Sequence, residues 1–65
     1  MSYLERAIRS FDWDTVDELL ASEKYRNYPA LLYEVMRWRQ IYIFVPKESR
    51  HKLPDSLMQV LEMYE

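Results

Sequence analysis

The single histidine of this 65-residue chain, His51, is the side chain best suited to move a proton near neutral pH. It lies in the charged segment 47–52 without a nucleophile signature beside it, so we expect a solvated surface residue. The serines could supply a hydroxyl nucleophile, but none is flanked by the glycines of a nucleophile elbow. The sequence therefore predicts a protein that is not an enzyme.

Acidic side chains are concentrated in the segment 12–18, where they could suggest a metal site. A calcium loop needs a fixed ligand pattern and a glycine-dependent turn, and the chain has no glycine. With no cysteine and one histidine, it also lacks the ligands of a structural zinc site. We expect no metal and no cofactor, and we assign these acids to a helix N-terminus, where Thr15 and Glu18 have the spacing of a capping box.

Length and charge narrow the class of protein further. The length allows one domain, residues 1–65. Nine basic and eleven acidic residues give a net charge of −2, so the overall field does not favour nucleic-acid binding. No apolar run approaches the length of a membrane span, and the charged N-terminus lacks the apolar region of a signal peptide. We expect a cytoplasmic protein without a membrane segment.

Apolar residues recur at helical spacing and predict an all-α fold, a small single-domain bundle of three to four short helices. The first helix should end near Ser10, the second should begin between residues 13 and 15, and the last should open at Pro54 and Asp55. The predicted core-facing residues are Leu4, Ala7, Ile8 and Phe11 in the first helix, Trp13, Val16, Leu19 and Leu20 in the second, and Leu57, Val60, Leu61 and Tyr64 in the last.

The longest segment, residues 30–45, is predicted to be the central helix. Pro29 fits its first turn, and Asn27 is a candidate cap. Its end is ambiguous, because the β-branched and aromatic run 41–45 could also be a short strand before Pro46, although we favour helix. The apolar stripe contains Leu31, Val35, Trp38, Tyr42 and Val45, widened by Leu32, Met36 and Ile43.

The same segment holds the candidate partner-binding residues, which are Tyr33, Glu34, Arg37, Trp38 and Arg39. Tyr, Trp, Met and Arg are the residue types enriched at protein interfaces. Two interpretations stay open: Trp38 is a core residue with solvated arginines beside it, or Trp38 and Tyr33 form a docking face with Arg37 and Arg39 at its rim. The docking interpretation expects a Trp38→Ala protein to stay folded and lose its partner.

A helix-turn-helix DNA binder is a further alternative. Residues 15–22 would be the support helix and residues 30–40 the recognition helix, with Arg37, Arg39 and Gln40 facing DNA. Base-reading residues normally lie at the N-terminus of the recognition helix, where this chain has only Tyr-Pro-Ala-Leu. Direct nucleic-acid binding is therefore the least favoured function.

Two family resemblances can be recognised in the sequence. The run from Ala7-Ile8 through Asp12 and Val16 to Leu19-Leu20 resembles an ankyrin helix pair, but Phe11 replaces the usual glycine and no second repeat follows. The chain more closely resembles the Hha/YmoA family of hemolysin-expression modulators, small all-helical bacterial proteins that bind the nucleoid-structuring protein H-NS. This similarity is carried by Tyr3-Leu4-x-Arg6, Asp14-Thr15-Val16, Leu19-Leu20, Lys24-Tyr25 and Lys52-Leu53-Pro54-x-Ser56-Leu57-x-Gln59.

The chain departs from the family at its central motif. Where the family has Ala-Ala-Asp-His-Arg, with an aspartate associated with engaging an H-NS arginine, this chain reads Met-Arg-Trp-Arg-Gln at positions 36–40. Glu34 lies one helical turn before Trp38 and could offer a carboxylate instead. Met58 stands where the family has a C-terminal tryptophan.

These observations predict a non-enzymatic protein–protein interaction module. The resemblance implies a modulator of transcription that acts through an H-NS-like partner. The alternative is a self-associating or inhibitor-type helical protein of the kind that phages and mobile elements encode, in which the aromatic surface closes a homodimer or blocks a host protein.

Overall fold

The computed structural model describes residues 2–64, and helices supply all the regular structure in that part of the chain. Helix α1 packs against α2, and α3 packs against α4, which confirms the predicted small all-α bundle. None of these helices is both long enough and apolar enough to cross a membrane. The helices are α1 (Tyr3–Arg9), α2 (Trp13–Leu20), α3 (Pro29–Ile41) and α4 (Asp55–Tyr64), with 3-10 turns at Tyr42–Phe44 and Lys47–Ser49.

One hydrophobic core is shared by all four helices, and the predicted stripes supply most of it. The expectation was wrong for Met36 and Ile43, which are 58% and 57% exposed, and Phe11 and Leu32 are half-buried outside the core cluster. Met36 lies on the side of α3 opposite its buried residues Leu31, Val35 and Trp38, and Ile43 lies in the 3-10 turn that follows the helix. The buried apolar residues are Leu4, Ala7, Ile8, Val16, Tyr25, Leu31, Val35, Trp38, Leu53, Leu57 and Leu61.

The turn between α1 and α2 uses a left-handed residue that is not glycine. Phe11 has a φ of 60°. Its N–H donates to the carbonyl of Ile8, and the N–H of Asp12 donates to the carbonyl of Ala7, which is the Schellman pattern at a helix C-terminus. The Phe11 ring stacks on Tyr42 with 5.1 Å between ring centres, so a tertiary contact offsets the backbone cost.

The cap of α2 differs from the predicted capping box. Asp12 is the N-cap, and its side chain accepts from the backbone N–H of Thr15. Thr15 lies inside the first turn and donates its hydroxyl to Asp12 at 2.6 Å. After the turn at Phe11, the N–H of Val16 donates to the carbonyl of Asp12. Asp12, rather than Thr15, therefore takes the capping position.

The two ends of α3 follow the prediction in part. Pro29 is its first residue, as expected, but the N-cap is Tyr28 without a side-chain cap, so Asn27 does not cap this helix. At the other end, α-helix gives way to a 3-10 turn after Ile41, and neither a helix to residue 45 nor a strand forms. Val45 is extended, with φ −89° and ψ 138°, as expected before a proline.

Candidate functional site

The outward face of α3 carries the candidate site. Tyr33 is 62% exposed, Met36 is 58% exposed and Ile41 is 39% exposed. With Arg37 and Gln40 they line an open depression of about 380 Å³. The five residues follow one another at helical spacing on the side of α3 that faces away from the core, and we call them the α3 strip.

Two more exposed apolar residues follow the C-terminus of α3. Ile43 is 57% exposed and Phe44 is 82% exposed, both in the 3-10 turn that directly follows the helix. Exposed apolar residues that lie close together are typical of an interaction site, whereas scattered single residues are not.

Arg37 is the charged member of the α3 strip. It is exposed and forms no ion pair with another described residue. In contrast, Arg9 pairs with Glu5 at 3.2 Å and Arg39 pairs with Asp17 at 2.7 Å. Within the described part of the chain, the strip therefore presents a guanidinium without an ion pair beside exposed apolar side chains.

Glu34 lies at the edge of the strip nearest α4. Its Oε1 accepts a hydrogen bond from the Ser56 hydroxyl at 2.8 Å. Glu34 and Ser56 line a pocket of about 110 Å³ together with Arg37, Trp38, Ile41 and Pro54. Because Glu34 and Arg37 are three residues apart, both charges lie on the same side of α3.

Trp38 belongs to the core. It is 3% exposed, and its ring lies 6.3 Å from that of Tyr42 in a tilted arrangement. Its buried Nε1 has no hydrogen-bond partner among the described residues. Of the two interpretations of Trp38, the structure supports the core interpretation, because a side chain at this depth has almost no surface to offer a partner.

Arg39 also lies away from the strip, because it reaches across to α2. Its Nη1 donates to Asp17 at 2.7 Å, and its guanidinium lies 5.4 Å from the ring centre of Trp13. Of the five predicted residues, the structure thus brings together Tyr33, Glu34 and Arg37.

Sequence reasoning missed three members of the strip. Met36 was assigned to the core, Gln40 only to the DNA-facing side of the helix-turn-helix alternative, and Ile41 only to the ambiguous run 41–45. The signal was available, since these residues continue the series from Tyr33 at intervals of three, seven and eight positions.

The sequence's candidates for proton transfer and metal binding are His51 and the acids of the segment 12–18. His51 is exposed, and its carbonyl accepts from Arg9 at 2.6 Å. No cluster of three or more potential ligands among residues 2–64 could hold a metal ion. The connection between α2 and α3, residues 21–28, is longer than the turn of about three to four residues in a helix-turn-helix, which does not favour that alternative.

Comparison with known proteins finds no match to this chain among family models, curated proteins or solved structures.

Proposed function

We propose that this chain is a non-enzymatic protein–protein interaction module whose binding surface is the α3 strip. The observation that carries the proposal is the exposure of Tyr33 and Met36 beside Arg37, which has no ion pair within residues 2–64, on a helix whose opposite side is core. Burial of such aromatic and Met side chains supplies binding energy, and a guanidinium at the rim adds specificity.

The resemblance to the Hha/YmoA family adds a specific candidate partner, an H-NS-like protein, and with it a role in modulating transcription. In this version Glu34 takes the place of the family's missing acid. Its position at the edge of the strip supports that role, since a partner seated on Tyr33 and Arg37 would lie beside this carboxylate.

Matched pairs of exposed residues allow a test of the surface. Met36→Glu places a charge on the strip, while Met63→Glu makes the same change on α4, where Met63 is 72% exposed. Tyr33→Ala has its control in Tyr3→Ala, because Tyr3 is 80% exposed on α1. All four variants should keep the circular dichroism spectrum of the wild type, since none removes a buried side chain.

Purified H-NS oligomerisation domain and a host lysate are the two binding probes. In calorimetry with the domain, the strip variants should bind at least about tenfold more weakly, while the control variants bind as the wild type does. The lysate experiment should recover proteins with the wild type and the control variants that the strip variants fail to recover. Equal recovery by Met36→Glu and Met63→Glu would contradict the assignment of the strip as the binding surface.

A further inference from the structure

We infer that the α3 strip binds a second copy of this chain. Two α3 helices pack antiparallel about a two-fold axis at the level of Val35 and Met36, and Arg37 of each copy pairs with Glu34 of the other. This inference rests on the proposed function, because it names the occupant of the same surface.

Charge complementarity within the strip supports this arrangement. Glu34 and Arg37 are separated by about 4.5 Å along the helix axis, at 1.5 Å per residue. Rotation about an axis midway between them brings each carboxylate to the level of the other copy's guanidinium. A two-fold interface repeats every contact, so the dimer gains two identical ion pairs.

Both charged groups are available for this pairing. Arg37 has no ion pair with a described residue, so no existing bridge must break. Glu34 uses Oε1 to accept from Ser56, and its other oxygen has no described hydrogen bond. The Ser56 hydroxyl also holds the carboxylate in place, which lowers the entropy lost when the pair forms.

The apolar residues fit the same axis. Met36 lies beside the axis and meets Met36 of the other copy, and Tyr33 lies near the level of Gln40 of the other copy. Association about this axis therefore buries the exposed Met36 and Tyr33 side chains beside the ion pairs. A domain of this size has a small core, so burial of this face in a dimer would add to its stability.

The placement of Glu34 favours a second copy over a strongly acidic partner. An acidic surface seated on Arg37 would also meet Glu34 at the same edge of the helix, where like charges repel. A second copy instead supplies one Arg37 for each Glu34. The partner whose charges fit this side of α3 is therefore the same side of α3 in a second copy.

Charge reversal tests the pairing directly. We expect the wild type to sediment as a dimer at micromolar concentration and each of Glu34→Arg and Arg37→Glu to dissociate at least about tenfold more readily, because every pair then joins like charges. An equal mixture of the two variants should recover the dimer, since both pairs of the mixed dimer join opposite charges. Glu62→Arg and Arg26→Glu make the same changes at exposed positions outside the strip and should leave the dimer unchanged.

The outcomes separate this inference from the proposed function. A monomeric wild type, a dimer insensitive to both reversals, or a mixture that stays monomeric would overturn the second-copy arrangement. If the monomer still binds H-NS oligomerisation domain in a manner that Met36→Glu abolishes, the proposed function stands with a different occupant. If neither self-association nor any other binding depends on the strip, both proposals fail.

Discussion

Arg50 holds the main chain of Tyr42 at the end of α3. Its Nε donates to the Tyr42 carbonyl at 3.0 Å, and its guanidinium lies 5.5 Å from the centre of the Tyr42 ring. The same group donates to the carbonyls of Val45 and Ile43, each at 2.9 Å. A side chain from the following segment therefore donates to carbonyls of the 3-10 turn and of the residue after it, and the Tyr42 carbonyl also accepts from the Val45 N–H.

Loss of this contact should destabilise the fold. Arg50→Ala should lower the free energy of unfolding by about 1.5–3 kcal/mol, the range for hydrogen bonds to a charged group. Arg50→Lys keeps the charge but not the planar set of donors, so it should recover only part of the loss. Urea denaturation followed by circular dichroism measures both values. A Lys variant as stable as the wild type would show that charge alone is sufficient.

The burial of Trp38 leads to a second prediction. Trp38→Ala should cost about 3–5 kcal/mol, which is a large part of the stability of a domain this small. Trp38→Phe should cost less, because a ring still fills the site and no indole N–H is left without a partner. Thermal unfolding would rank the three proteins. A Trp38→Ala protein as stable as the wild type would contradict the core assignment.

The left-handed backbone at Phe11 predicts an unusual order of substitutions. Phe11→Gly and Phe11→Ala both remove the ring that stacks on Tyr42, so they differ mainly in the backbone. Glycine accepts the φ of 60° without the clash of a Cβ, and this gain outweighs its greater freedom in the unfolded chain. We expect the Gly variant to be more stable by about 0.5–1 kcal/mol. Equal denaturation midpoints would show that the turn relaxes when the ring is removed.

Dimerisation through the strip should couple stability to protein concentration. The melting temperature of the wild type should rise as the protein concentration is raised, because association stabilises the folded chain by mass action. The melting temperature of Arg37→Glu should begin to rise only at protein concentrations about tenfold higher or more, while Arg26→Glu should behave as the wild type does. Calorimetric scans over a hundredfold range of concentration would measure this. A melting temperature of the wild type that is independent of concentration would argue against the dimer.

The helical segments could be predicted because their signals are local. Apolar residues at helical intervals mark the core face of α1, α2 and α4, and Pro29 and Pro54 mark where helices begin. The expectation failed at the cap of α2, where Asp12 takes the role assigned to Thr15. The position of that cap depends on the turn at Phe11, and the side-chain contact that supports the turn comes from Tyr42, far away in the sequence.

The partner surface could be predicted only in part. Composition and spacing identified α3 as the helix with an unusual outer face, and Tyr33 and Arg37 lie there. Periodicity alone left open which aromatic residue is buried, because both sides of α3 carry apolar residues. The packing of the shared core decides this, and it buries Trp38 and leaves Tyr33 and Met36 exposed.

The sequence by itself determined that the chain is all-α and that it lacks glycine and cysteine. Only the tertiary structure decided which charges are free. Arg39 pairs with Asp17 and Glu34 accepts from Ser56, each across 22 positions of the chain, while Arg37 has no ion pair with a described residue. Helical periodicity reports contacts within about one turn, so it cannot distinguish an arginine that reaches a neighbouring helix from one that faces solvent.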